Sequence, residues 1–205
     1  RNHSSAASDV YKRQKKHIGL MFGSFNPVHT GHLIIAETVA QLSHIDQVWL
    51  VLSPQNPFKT QKSLLNQYDR LHLANLAVEN NPLLSVSAIE FDLPKPSYTI
   101  DTLAYLYEKY PTYEFSLIMG EDNLVNFHKW KNYEQILKYY HLLVYPRPNY
   151  KAKGYDNHEK ITRLKVPLLE ISATHIRNLL KENKSIRYLV PEKVHDYIVA
   201  YHLWK

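Results

Sequence analysis

The chain has 205 residues, 44% of them hydrophobic and 21% charged, a balance that predicts one soluble globular domain with a sizeable core. It contains no cysteine, which excludes a disulfide framework and a thiolate metal site and fits a reducing cytoplasm. The net charge of +6 invites anionic partners, and no apolar run reaches the ~20 residues of a membrane span.

In chain order, the first fourteen residues stand apart. The stretch "SSAASDVYKRQ" (4–14) looks like the in-frame translation of a transposase adapter used in sequencing libraries. Residues 1–14 are therefore expected to be disordered, with the domain formed by 15–205. Arg1, Lys12 and Arg13 against Asp9 account for two of the excess charges, leaving +4, a charge that suits nucleotide phosphates better than nucleic acid. A β-rich run at 17–22 leads into helical spacing over 30–42, and a second run at 47–52 into a helix over 67–80. A strand at 84–88 then precedes a helix over 98–110. Strand 114–119, helix 133–139 and strand 141–145 follow, then a polar loop at 146–160. The chain closes with a strand at 165–169 and helices over 174–181 and 191–201, the last opened by Pro191. Such alternation predicts an α/β fold, a Rossmann-like doubly wound parallel sheet with helices on both faces. Ligands of such sheets bind at the carboxyl ends of the strands, near the point where the strand order reverses.

One of those ends carries "GSFNPVHTGH" (23–32). Gly23 lets the backbone approach a ligand without a Cβ in the way, and Asn26-Pro27 sets a turn. Thr30 can cap the following helix, whose free N–H groups favour an anion. His29 lies just outside that helix and His32 in its first turn, so both can reach one phosphate, while Gly31 keeps the helix start open. Two histidines at this spacing are also common on ordinary surfaces, and no third ligand stands at a fixed spacing for zinc. A second stretch, "LEISATHIR" (169–177), places Ser172 at a helix N-cap with Thr174 and Arg177 on one face. Hydroxyls, N–H groups and a guanidinium fork there suit a polyphosphate, although ordinary capping with a solvated arginine is the plainer reading.

Together the two stretches resemble the nucleotidylyltransferase superfamily, with its H-x-G-H and I-S-x-T-x-x-R motifs. "SPQNPFK" (53–59), "YDRLHLANLA" (68–77), "PSYTIDTL" (96–103), "MGEDNLVNFHKW" (119–130) and "IRYLVP" (186–191) extend the resemblance to the nicotinate-mononucleotide adenylyltransferase family, from about residue 16 to the C-terminus. Phe22 and Asn26 stand where Gly and Asp are common, and Glu121 where Ala is common.

The resemblance implies attack by the 5′-phosphate of nicotinate mononucleotide on the α-phosphorus of ATP, a late step of NAD biosynthesis. Deamido-NAD and pyrophosphate would be the products. It implies an ATP site of Gly23, Ser24, Phe25, His29, His32, Gly120, Asp122, Ser172, Thr174 and Arg177. His29, His32 and Arg177 would be catalytic, and Mg²⁺ would be carried by the ATP phosphates without a protein metal site. Lys59, Tyr98, Thr99 and Trp130 would bind the mononucleotide, the N–H groups at Tyr98-Thr99 receiving its carboxylate and Trp130 stacking on its ring. Asn26 and Arg70 are further candidates. Neither nucleic acid nor membrane is expected as a partner. Against this stand a phosphopantetheine-type transferase, which would share both phosphate motifs but not "PSYTIDTL" and "FHKW", a basic nucleic-acid module, and a phosphate-binding regulator without turnover.

Overall fold

The computed structural model describes residues 15–42, 44–54, 63–167 and 170–204. The expectation for residues 1–14 lies outside them. Six strands form one all-parallel sheet: β1 (Lys16–Gly23), β2 (Gln47–Leu52), β3 (Leu84–Ser87), β4 (Tyr113–Gly120), β5 (His141–Tyr145) and β6 (Ile161–Arg163). Their spatial order is β3-β2-β1-β4-β5-β6, the order of a doubly wound sheet that reverses between β1 and β4. Helices α1 (Thr30–Ala40), α2 (Gln67–Val78), α3 (Thr99–Lys109), α4 (Glu121–Val125), α5 (Tyr133–Tyr139), α6 (Ala173–Lys181) and α7 (Glu192–Ala200) complete the architecture.

The near-continuous apolar strands follow from burial on both faces. In β1, Ile18 and Leu20 point to one cluster, shared with Leu103 and Leu106 of α3 and Ile136 of α5. Met21 points to the other, with Ala36 and Val39 of α1, Leu73 and Val78 of α2, Ile176 of α6 and Val194 of α7. Among the described residues no helix is long and apolar enough to cross a membrane.

Two expectations are corrected. The last strand is Ile161–Arg163, not 165–169; residues 168 and 169 lie outside the described part. After Arg163 the amide of Leu164 still donates to Val144 O (2.8 Å), but Pro167 has no N–H to continue a ladder. Leu164 and Val166 pack against the core instead. The short helix α4 and a 3₁₀ turn over Phe127–Lys129, which follow β4, were not foreseen because five and three residues are too few to show periodicity.

Candidate active site

β1 ends at Gly23 and β4 at Gly120, adjacent strands at the reversal of the sheet, so the two glycines open onto one crevice. Beyond Gly23 the chain turns through Phe25, in left-handed conformation (φ 45°), and a cis Asn26–Pro27 peptide. The Phe25 ring takes the space a Cβ on Gly23 would need, with Cε2 3.1 Å from it, and meets His32 edge-on at 4.9 Å. That space therefore serves internal packing rather than a ligand's approach.

The N-cap of α1 is His29, not Thr30. His29 Nδ1 accepts from the His32 amide (3.3 Å), and His32 Nδ1 accepts from the His29 amide (3.2 Å). This is a capping box built from two histidines. Thr30, freed from capping, donates its amide to Leu189 O (2.9 Å) and its hydroxyl to Tyr188 O (3.2 Å). The imidazoles stack at 3.6 Å between centroids with an interplanar angle of 20°. A Cβ on residue 31 would press on the His29 ring at 3.1 Å, which is why glycine separates the pair.

Because each Nδ1 accepts from a backbone amide, the neutral ring carries its proton on Nε2, and each histidine offers one N–H outward. Burial first, and then the Arg147 charge, lowers the His29 pKa to about 4. Burial, His29 and Arg147, in that order, hold His32 well below its ordinary value. Both are neutral at pH 7 in the free protein.

Ser172 caps α6, its hydroxyl accepting from the His175 amide (3.1 Å), as the sequence led one to expect. Arg177 Nη2 donates to Thr174 Oγ1 (3.2 Å) and Nη1 donates to Asn26 O (2.8 Å), so the guanidinium joins the two motifs. Ile171 completes the approach, its Cβ lying 3.6 Å from where a Gly31 Cβ would stand. The Asn26 side chain is fully used by the backbone: Nδ2 donates to Ser63 O (2.9 Å) and Oδ1 accepts from the Leu65 amide (3.1 Å).

Arg70 is placed differently from what its charge suggested. It is 0% exposed and spends its donors on carbonyls: Nε on Leu65 O (2.9 Å), Nη1 on Ser24 O (2.5 Å) and Ser53 O (2.9 Å), Nη2 on Pro54 O (3.0 Å). Burial lowers its pKa to about 10, still a cation at pH 7. It braces the loop after β1 against the end of β2. Lys59 lies outside the described residues.

At the end of β4, Gly120 begins α4, and a Cβ there would fall 2.2 Å from Asp122 Oδ1 and 3.2 Å from Arg147 Cγ. Asp122 Oδ1 and Arg147 Nε are 3.7 Å apart, and both atoms are buried without a hydrogen-bond partner among the described residues. Arg147 escaped the sequence reading. Its one signal was its place two residues beyond β5, at a strand carboxyl end inside a segment read as polar loop. Glu121, the unusual residue of its stretch, is buried; it accepts from the Ala152 amide (2.8 Å) and pairs with Arg163 (3.2 Å). It ties the 146–160 loop and β6 to the crevice.

On the other side of the crevice, α3 starts at Thr99 with Tyr98 as N-cap and no side-chain capping bond. Lys131 lies 4.8 Å over the Tyr98 ring and pairs with Asp101 (2.9 Å), which brings the segment after Trp130 against the start of α3. Trp130 is half-buried and packs edge-on against Phe127 at 5.4 Å. A separate cavity of about 930 Å³, lined by Tyr133, Lys138, Lys151, Tyr155 and His158 among others, contains none of the candidate site residues.

The reversal of the sheet thus brings together two helix starts, paired histidines and arginines. The cytidylyltransferase-like family model matches residues 20–179. A probable nicotinate-nucleotide adenylyltransferase of Cytophaga hutchinsonii is 55% identical over 183 residues, covering 89% of this chain and 95% of that protein. One of Bacteroides thetaiotaomicron is 42% identical over 183 residues, 89% and 91% of the two chains. The Plasmodium falciparum nicotinic acid mononucleotide adenylyltransferase complexed with NaAD shares the fold, with a TM-score of 0.79 over 92% of this chain and 97% of that one at 21% identity. The chain belongs to the cytidylyltransferase-like family and, within it, to the nicotinate-nucleotide adenylyltransferases.

Proposed function

We propose that the crevice between β1 and β4 transfers AMP from ATP to nicotinate mononucleotide, with the residues of the two motifs in the following roles. A 5′-phosphate oxygen of the mononucleotide attacks the α-phosphorus, the bond to the bridging oxygen breaks, and pyrophosphate leaves with the electron pair. Such a transfer needs alignment and charge stabilisation more than a covalent nucleophile. His29 and His32 donate through Nε2–H to the reacting phosphate, His32 gaining most strength in the transition state. Ser172, Thr174 and Arg177 hold the β- and γ-phosphates. Arg147, whose charge already reaches both histidines, adds a fixed cation on the far side. The observation that carries this reading is the bond from Arg177 to Asn26 O, which makes two distant motifs one anion site.

Among the described residues no three His, Cys, Asp or Glu side chains gather as a metal cluster. The buried, unpartnered Oδ1 of Asp122 fits one oxygen ligand of a Mg²⁺ otherwise held by phosphates and water, as that ion prefers. Bound there, Mg²⁺ would neutralise phosphate charge.

For the acceptor, the uncapped N–H groups at the start of α3 receive the nicotinate carboxylate and Trp130 lies against the pyridine ring. An amide in the carboxylate's place would turn an NH₂ toward those donors and leave groups mispaired. A preference for nicotinate over nicotinamide mononucleotide of at least about 10²-fold in kcat/KM is expected. Pyrophosphate release from ATP and Mg²⁺ with each mononucleotide measures it. Equal values would overturn the carboxylate-reading site.

A further inference from the structure

We infer that Glu90 is a positioning residue of the acceptor side, holding the start of α3 at a fixed place relative to the phosphate loop. The inference rests on the reading of Tyr98-Thr99 as the acceptor's donors. Glu90 sits in a 3₁₀ turn, Ile89–Phe91, between β3 and α3, and is 2% exposed. Its partners are hydroxyls. Thr102 Oγ1 donates to Oε1 (2.8 Å) and Ser97 Oγ donates to Oε2 (3.1 Å). Among the described residues no cation pairs with it. Burial raises its pKa while the hydroxyls of Thr102, Ser53 and Ser97 pull it down.

A buried carboxylate is costly to hold, and an apolar residue would close an ordinary turn at lower cost. What Glu90 supplies is reach. Ser97 lies just before the N-cap of α3 and Thr102 one turn inside it, so the two carboxylate oxygens bracket Tyr98-Thr99 from both sides. Thr102 Oγ1 also donates to Tyr98 O (3.3 Å), closing the bracket. Ser53, whose hydroxyl also lowers the Glu90 pKa, follows the end of β2 and is tied to the phosphate loop twice. Its amide donates to Gly23 O (2.9 Å), and its carbonyl accepts from the same Arg70 Nη1 that donates to Ser24 O. Glu90 thus stands between the strand end bonded to the phosphate loop and the helix start read as the acceptor's site. In-line displacement is sensitive to offsets of about 1 Å, so a rigid tie of this kind sets how productively the acceptor is placed.

The test is two-substrate kinetics on Glu90→Gln, on the double variant Ser97→Ala with Thr102→Val, and on Thr99→Pro, each with its Tm. Proline suits the first helical position, so Thr99→Pro deletes one N–H donor and keeps the helix. Glutamine can accept from Thr102 and donate to a turned Ser97 hydroxyl. Glu90→Gln is therefore expected within about threefold of the parent in every constant. The double variant removes both bracketing bonds but leaves the Glu90 carboxylate buried and short of donors, so its Tm is expected to fall by several degrees and its kinetics are read well below that Tm. It is expected to raise KM for nicotinate mononucleotide about tenfold or more, with KM for ATP within about threefold. If Thr99→Pro raises that KM and the double variant does not, or the double variant raises both KM values alike, the positioning role falls and the acceptor reading stands. If Thr99→Pro leaves that KM unchanged, the acceptor reading itself falls and takes the inference with it.

Discussion

Replacing His29 by asparagine separates the two jobs the structure gives that residue, capping α1 and titrating in a buried place. Asparagine is among the strongest N-caps, so the helix start is retained while the ionisable group disappears. In the folded protein the His29 pKa lies at about 4, against about 6.5 in an unfolded chain. A histidine depressed in this way contributes stability that is complete above the unfolded value and is lost as the pH falls toward the folded one. At pH 5 roughly nine-tenths or more of unfolded imidazoles carry the proton and only about one-tenth of folded ones, a difference of about 2 kcal/mol in favour of unfolding. Urea unfolding of both proteins at pH 8 and pH 5 checks this. The parent should lose about 2 kcal/mol more than His29→Asn over that interval. His17 and His141, also lowered by burial, are common to both proteins and cancel. His32 is relieved of a like-charged neighbour in the variant, which acts in the same direction. Equal acid losses in the two proteins would refute the depressed His29 and, with it, the neutral pair.

His32→Ala should lower kcat by about 10²-fold or more, with a smaller change in KM for ATP, in pyrophosphate-release assays on the folded variant. Arg147→Ala should raise KM for ATP about tenfold or more, the worth of one charge-assisted hydrogen bond, while KM for the mononucleotide moves little. Asn26→Asp replaces the donor to Ser63 O with an oxygen; urea unfolding should show a loss of about 1–3 kcal/mol, even though Asp is common there in the family. Near pH 7, kcat/KM for ATP should show no ionisation belonging to either histidine, because both pKa values lie well below the assay range.

Most of the fold was legible because the strands are buried on both faces. Runs such as Val48 to Leu52 and Leu117 to Met119 are apolar without interruption, as a parallel sheet between helix layers asks. β6 was misplaced because Ile161–Arg163 has one apolar residue and lies at the sheet edge, whereas Leu164 and Val166 after it serve as packing. In the site, short-range chemistry was readable: the cap at Ser172, the Thr174–Arg177 face and the helix start at Thr99. What failed depends on burial. Arg70 lies in a helix whose pattern does not announce a residue with no exposure, so its charge pointed to phosphate while its surroundings direct it to four carbonyls. Arg147 and Glu90 pair with Asp122 and Thr102, 25 and 12 residues away, and no local pattern joins either pair.

The paired histidines pose a charge question that the capping geometry answers. An imidazolium at either position would need a proton on Nδ1, where a backbone N–H already points, so charging the ring means giving up a cap bond at the helix start. Burial opposes the charge as well. The lasting positive charge of the crevice therefore comes from arginines, Arg177 fixed by Thr174 and Asn26 O and Arg147 beside Asp122. The histidines add what arginine cannot supply at that point, single N–H donors locked in direction by the backbone. A donor that need not reorganise is worth most where charge develops, on the oxygens around the attacked phosphorus. On this account the motif couples its two halves. The glycine lets the rings stack, the stacked rings cap the helix, and the cap aims the N–H groups, so that the fold of the turn and the transfer proposed for it rest on the same bonds.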